Sequence, residues 1–161
     1  FTVMMGAGID AHLVAEVDPA LKTRIGSAAY AASFFRQLRT FDFPGYQLSV
    51  DGKQHVVGSV IVANVRRYAP SWIIAPDADL QKADLQVCRV DKPGRWGSVG
   101  AAMALFGGRF AEGRWLTIES GHHVTIEGPA GEPVQADGEI VGTLPAEVTV
   151  APSDLRLLCP R

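Results

Sequence analysis

The chain has 161 residues, 47% hydrophobic and 20% charged, which suits one globular domain with its own core and excludes a disordered segment. A formal charge of −2 and a pI near 6.1, with Lys and Arg scattered, provide no basic field for a nucleic acid backbone. No run of about 18 apolar residues is present to cross a bilayer as a helix, and no basic-then-apolar signal segment opens the chain.

Phe1 to Met5 is a short apolar run that reads as a buried strand, stopped by a tight loop at Gly6-Ala7-Gly8. A chain that starts on a strand without a Met is expected to be a piece of a longer protein, beginning near a domain boundary. Asp18-Pro19 supplies an N-cap and a first-turn proline. Leu21, Ile25, Ala28, Ala29, Ala32, Phe35 and Leu38 then recur at spacings of three and four, predicting an amphipathic helix from Pro19 to Arg39. From Tyr46 the period becomes two: Tyr46, Leu48 and Val50 face one way, and Asp51-Gly52 is a preferred hairpin turn. The return strand is expected through Val56, Val57, Val60, Ile61 and Val62, apolar enough to be buried on both faces.

Pro70 and Pro76 bracket a loop, and Leu85, Val87 and Arg89 alternate as another strand. Trp96, Val99, Met103 and Phe106 have helical spacing, closed by Gly107-Gly108. Trp115 to Ile126 reads as one strand or a pair, Val134 to Ile140 contains a second Asp-Gly turn, and Val148 to Val150 and Leu155 to Leu158 read as the last strands. Many strands with two helices inserted, one longer and one short, predict a mainly β (α+β) fold, an antiparallel β-sandwich over residues 1–161 as a single domain.

Three motifs invite chemistry. Gly6-Ala7-Gly8-Ile9-Asp10-Ala11 fits a dinucleotide fingerprint in letters, but that motif needs a helix opening at the glycines and a parallel sheet. Here the helix is expected only from Pro19, before an antiparallel hairpin, so a glycine loop is the better reading. His122 and His123 are strand neighbours and point to opposite faces, which prevents them sharing a metal; one exposed and one half-buried histidine is expected. Cys88 and Cys159 match no metal spacing; two reduced, mostly buried thiols are expected ahead of the alternative, one disulfide. Asp137-Gly138-Glu139 is a hairpin turn by composition, yet its two carboxylates can project together towards a metal-bound phosphate.

Taken together, these segments resemble the C-terminal domain shared by diacylglycerol kinases, bacterial lipid kinases and sphingosine kinases. Gly8-Ile9-Asp10-Ala11 resembles the family's Gly-aromatic-Asp-Ala segment, and Lys22, Gly26 and Tyr30 its Lys…Gly…Tyr helix. Val62-Ala63-Asn64 resembles its Val-x-Asn strand, and Ile74-Ala75-Pro76-Asp77-Ala78 its Ile-Ala-Pro-x-Ala loop. Val134 to Glu139 matches Val-Gln-x-Asp-Gly-Glu, and Leu155 to Pro160 its closing strand.

The resemblance implies a β-sandwich forming one wall of an interdomain site in an ATP- and magnesium-dependent lipid kinase, cytoplasmic and peripheral at the membrane. It implies that the partner wall is the protein's own N-terminal ATP-binding domain, whose Gly-Gly-Asp-Gly loop does not occur in this sequence. The fragment alone is then expected to be inactive, with no cofactor bound. By the same resemblance Asp137 and Glu139 are the catalytic candidates, Gly138 a nucleotide contact, and Asp10 the candidate for the lipid hydroxyl, with His12 as the runner-up. The acyl chain is expected within the domain, walled by the sandwich interior and by Phe34-Phe35. Lys82 stands where the family usually has an aspartate, and Ala69-Pro70-Ser71 replaces its usual glycines. The first departure removes a ligand of the structural magnesium seen in some relatives; the second leaves the lipid open. The competing expectation is a ligand-binding sandwich that has lost the reaction.

Overall fold

The computed structural model describes residues 1–16, 36–37, 39–69, 72–106 and 113–151. The expected helix from Pro19 to Arg39 lies almost wholly outside these residues, although residues 36–37 and 39–40 are helical. Lys22, Gly26, Tyr30, Phe34-Phe35, Gly107-Gly108, Cys159 and the expected strand Leu155 to Leu158 also lie outside them.

In chain order the described elements are β1 (Met4–Gly8), α1 (Ile9–Glu16), β2 (Tyr46–Val50), β3 (Lys53–Val57), β4 (Ser59–Ala63), β5 (Arg67–Ala69) and β6 (Trp72–Ile73). There follow β7 (Leu85–Val90), α2 (Arg95–Phe106), β8 (Leu116–Gly121), β9 (His123–Glu127), β10 (Pro133–Ala136), β11 (Glu139–Thr143) and β12 (Ala146–Thr149). One six-stranded sheet has the order β11-β10-β1-β4-β7-β8, a four-stranded sheet has β12-β9-β2-β3, and β5 pairs with β6. Every described pairing is antiparallel.

The alternation seen in the sequence explains why two sheets pack. Tyr46, Leu48, Val50, Val124 and Ile126 of the smaller sheet meet Met5, Ala7, Val60, Val62 and Val87 of the larger in one buried core. The larger sheet buries its outer face as well. Met4, Ala63, Cys88 and Val90 point outward into a second cluster that takes in Ile74, Ala75, Ala78 and Ala101, so that α2 and the loop after β6 cover them.

Several sequence expectations are corrected. Gly6-Ala7-Gly8 is not a loop: β1 runs through Gly8, and α1 opens directly at Ile9. The helix was missed because Ile9–Glu16 carries apolar side chains around its whole circumference and so has no stripe. The dinucleotide reading still fails, because β1 pairs antiparallel with both β4 and β10. The return strand expected from Val56 to Val62 is two strands in different sheets, broken at Gly58. A Cβ there would stand 2.8 Å from the Lys92 carbonyl oxygen, so the chain can cross between sheets at this point only without a side chain.

Of the two readings of Trp115 to Ile126 the pair is the one present: β8 and β9 lie in different sheets, and the chain crosses at His122. Asp51 holds that crossing by accepting the backbone N–H groups of His122 and His123 at 3.0 and 2.9 Å. Both histidines are exposed, not one exposed and one half-buried; His122 faces Asp51 and His123 faces Glu147. On α2 the apolar stripe read from the sequence is not the buried one. Trp96 and Met103 are 72% and 70% exposed, and Ser98 and Ala101 face inward.

Candidate active site

Asp10 stands in the first turn of α1, where the helix dipole favours a carboxylate. The helix folds back over the outer face of β1, and Asp10 is 5% exposed. Its Oδ1 accepts the Tyr68 hydroxyl at 2.5 Å and its Oδ2 accepts the Gln135 side-chain amide at 2.7 Å. Burial pushes its carboxyl above the usual carboxylate range, and these two donors only partly oppose the rise.

Beside Asp10 lies an apolar pocket of about 90 Å³, several times the roughly 10–15 Å³ that holds one water. Leu13, Ile61, Trp72, Ile74, Ala102 and Leu105 supply much of its apolar wall. It therefore opens on the outer face of the larger sheet, between α1, α2 and the β5–β6 hairpin. It is not within the sandwich interior, whose space is filled by the packed core. Ser59 and Ser98 also line it. The Ser59 hydroxyl donates to the Ala7 carbonyl at 3.0 Å, whereas the buried Ser98 hydroxyl has no hydrogen-bond partner among the described residues.

His12 is not brought to this pocket. Its Nε2 lies 2.9 Å from Glu132 Oε2, its ring lies 4.5 Å from that of Phe41, and Tyr46 donates to the same Glu132 oxygen at 2.8 Å.

The Asp137-Gly138-Glu139 triplet is the β10–β11 turn, with φ of 52° at Asp137 and 88° at Gly138. Asp137 Oδ2 accepts the Thr2 N–H at 2.7 Å, and Oδ1 accepts those of Val3 and Met4 at 2.8 and 3.0 Å. Partial burial raises its pKa, but the three backbone donors outweigh it and hold the carboxyl below the usual range. Glu139 is exposed, and no hydrogen bond or ion pair of its side chain is among those described. The triplet and Asp10 share one neighbourhood: a second cavity of about 230 Å³ is lined by Val3, Met4, Val14, Tyr68, Gln135, Asp137 and Gly138. Tyr68 borders both cavities. Among the described residues no three His, Cys, Asp or Glu side chains cluster in a way that could hold a metal ion, and both Asp137 oxygens already accept backbone N–H groups.

Gln135, Tyr68 and Ser98 are beside Asp10 or its pocket without having been read as site residues in the sequence, and Gly6 was read only as part of a glycine loop. Gln135 was inside the Val-Gln-x-Asp-Gly-Glu match, the one signal available. Tyr68 and Ser98 had none, because only the packing of β5 and α2 over the sheet aims them at Asp10 and its pocket.

The two lowered or raised aspartates predict opposite pH effects on stability. Asp137's contribution is complete above the unfolded carboxylate pKa of about 3.9 and is lost as pH falls through its lower folded value. Asp10, with its folded value raised, should make stability fall as pH climbs from the unfolded towards the folded pKa. Urea unfolding from about pH 2.5 to 7 should therefore show a shallower acid limb for Asp137→Asn and a smaller decline with rising pH for Asp10→Asn. Parallel curves for both variants and wild type would refute the assignment.

These features define a two-sheet sandwich with an apolar pocket and a buried carboxyl on one outer face, beside a carboxylate-bearing turn. Residues 3–159 match the YegS C-terminal NAD kinase beta sandwich-like domain, and the chain belongs to that family. Diacylglycerol kinases of Mycobacterium tuberculosis, strains CDC 1551 and H37Rv, are 29% identical over 119 residues, covering 72% of this chain and 38% of theirs. Two Bacillus anthracis (strain Sterne) structures assigned as diacylglycerol kinases superpose over 92% of this chain. Their TM-scores are 0.60 and 0.61, their identities 15% and 18%, and the chain covers 48% and 50% of theirs. The chain thus spans half or less of the length of these relatives. The family and its kinase homologues bear out the family resemblance and the mainly β sandwich.

Proposed function

We propose that this chain is the lipid-side half of an ATP-dependent lipid kinase that transfers the γ-phosphate to the hydroxyl of a diacylglycerol-like or sphingoid lipid. The observation that carries it is the apolar pocket with the Asp10 carboxyl group buried in its wall. An acyl chain would fill the pocket, and Asp10 would meet the hydroxyl end. The Asp137-Gly138-Glu139 turn would face the nucleotide, with Gly138 offering backbone and Glu139 a carboxylate. ATP and magnesium would be held mainly by an N-terminal domain, since phosphoryl transfer needs a phosphate cradle that this sequence lacks. Magnesium, when bound, would neutralise charge on the transferring phosphate; Glu139 would orient its waters or take the proton of the attacking hydroxyl. With no helix among the described residues long and apolar enough to cross a membrane, the enzyme would meet its lipid at the membrane surface.

The test uses the full-length protein with a chain-length series of diacylglycerols and sphingoid bases. Affinity should rise about fourfold per methylene, the equivalent of ~0.8 kcal/mol, until the pocket is full. Labelled phosphate should pass from ATP to the lipid only in the full-length protein, and this chain alone should transfer none. Chain-length dependence without phosphate transfer would favour a ligand-binding sandwich that has lost the reaction. No chain-length dependence would remove the lipid from this domain.

A further inference from the structure

The Asp10 carboxyl and the Asp-Gly-Glu turn are joined by one side chain. Gln135 lies on β10, opposite Gly6 of β1, and is 2% exposed. Its neighbours Val134 and Ala136 face the sandwich core, so Gln135 faces outward, towards α1. Its Nε2 donates to Asp10 Oδ2 at 2.7 Å, and its Oε1 accepts the Gly138 N–H at 3.1 Å. The β10–β11 register shifts between Val134 and Gln135, an irregularity of the kind that re-aims a side chain.

We infer that Gln135 is a positioning residue, whose amide fixes the Asp-Gly-Glu turn relative to the carboxyl that meets the lipid hydroxyl.

The chemistry of the side chain suits that task. Asp10 needs a donor on one side, and the Gly138 N–H needs an acceptor on the other; a primary amide carries both at fixed positions. A glutamate would keep the acceptor but turn a second carboxyl on Asp10. A methionine of similar length would satisfy neither. Room for the link comes from Gly6, where a Cβ would stand 2.2 Å from Asp10 Oδ2 and 3.1 Å from Gln135 Nε2. Tyr68 completes it from the other side of Asp10. The Tyr68–Asp10–Gln135 row thus stands between the apolar pocket and the cavity under the turn. Lipid affinity should come from the pocket's apolar walls, which Gln135 does not line. The placement of the hydroxyl against the turn is what the amide would control.

This inference rests on the lipid-kinase reading, so its test has one arm that needs activity and one that does not. In the full-length enzyme, Gln135→Met and Gln135→Glu should each lower kcat at least tenfold while KM for dioctanoylglycerol stays within about threefold, since misplacing reacting groups costs rate before binding. Unchanged kcat in both variants would overturn the inference. A loss of kcat and affinity together, in step with a lowered melting temperature, would also overturn it, by making Gln135 merely structural. The second arm follows the Gly138 amide resonance by NMR in full-length protein. Asp10→Ala should shift it in the wild-type background and leave it in place in the Gln135→Met background. Equal shifts in both backgrounds would overturn the coupling whether or not the protein phosphorylates lipid. Absent phosphate transfer with an intact, Gln135-dependent shift would instead reject the kinase reading and retain the link.

Discussion

Glu139→Gln in the full-length enzyme is expected to cut turnover by about a hundredfold or more while leaving the melting temperature within roughly 2 °C of wild type. The side chain is exposed at the first position of β11, and only its backbone is tied down, by register with Ala136. A neutral isostere there disturbs no packing, so a loss of rate has to come from chemistry. Asp137→Asn should behave differently. The two Asp137 oxygens accept three backbone N–H groups from Thr2, Val3 and Met4, and an amide can offer only one acceptor. About 1–2 kcal/mol of stability should go with the lost charge-assisted bonds, alongside any loss of rate. Both residues belong to one turn, and the N-terminal segment Thr2 to Met4 held by Asp137 is what separates them. Kinetics and thermal melts on the two variants decide the matter. Full activity in Glu139→Gln would leave the triplet as a turn alone.

How much of this was legible beforehand depended on the range of each interaction. The β2–β3 hairpin, the β10–β11 turn and the α2 helix are encoded locally, by alternation, by Asp-Gly pairs and by helical spacing, and all three are present where the sequence placed them. What failed was partition between sheets. Val56 to Val62 reads as continuous, and Trp115 to Ile126 as one strand or a pair, because a crossing between layers keeps the apolar pattern. Only the crowding around Gly58 and the grip of Asp51 on His122 and His123 mark the break. The site divided in the same way. Asp10 came from a resemblance and the Asp-Gly-Glu triplet from its turn composition as well, yet their proximity rests on contacts more than a hundred residues apart in sequence, such as Gln135 to Asp10. His12, two residues after Asp10, was the runner-up, and the turn of α1 sends it to Glu132 instead.

Gly6→Ala should be among the most damaging single-methyl additions in the domain, at about 2–4 kcal/mol, because overpacking and a lost buried hydrogen bond act together. The new Cβ would stand 2.2 Å from Asp10 Oδ2, well inside contact distance. A flexible, exposed side chain would swing away at little cost. Asp10 has no such exit: it is buried, and Tyr68 and Gln135 hold one oxygen each. Moving it strands a carboxyl group in an apolar wall and releases both donors. For a chain of this size the loss corresponds to a melting temperature lower by roughly 4–16 °C, and lipid affinity should fall with it. Gly142→Ala is the control, since nothing lies within 4 Å of a Cβ there, and it should change stability by less than about 0.5 kcal/mol. The decisive comparison is the double variant Gly6→Ala with Asp10→Ala. Removing the carboxylate removes the obstacle, so the pair should be less destabilised than the sum of the two single changes, by about 1 kcal/mol or more. Simple additivity would mean that the methyl group at position 6 collides with something other than Asp10, and that the glycine does not exist to seat that carboxyl.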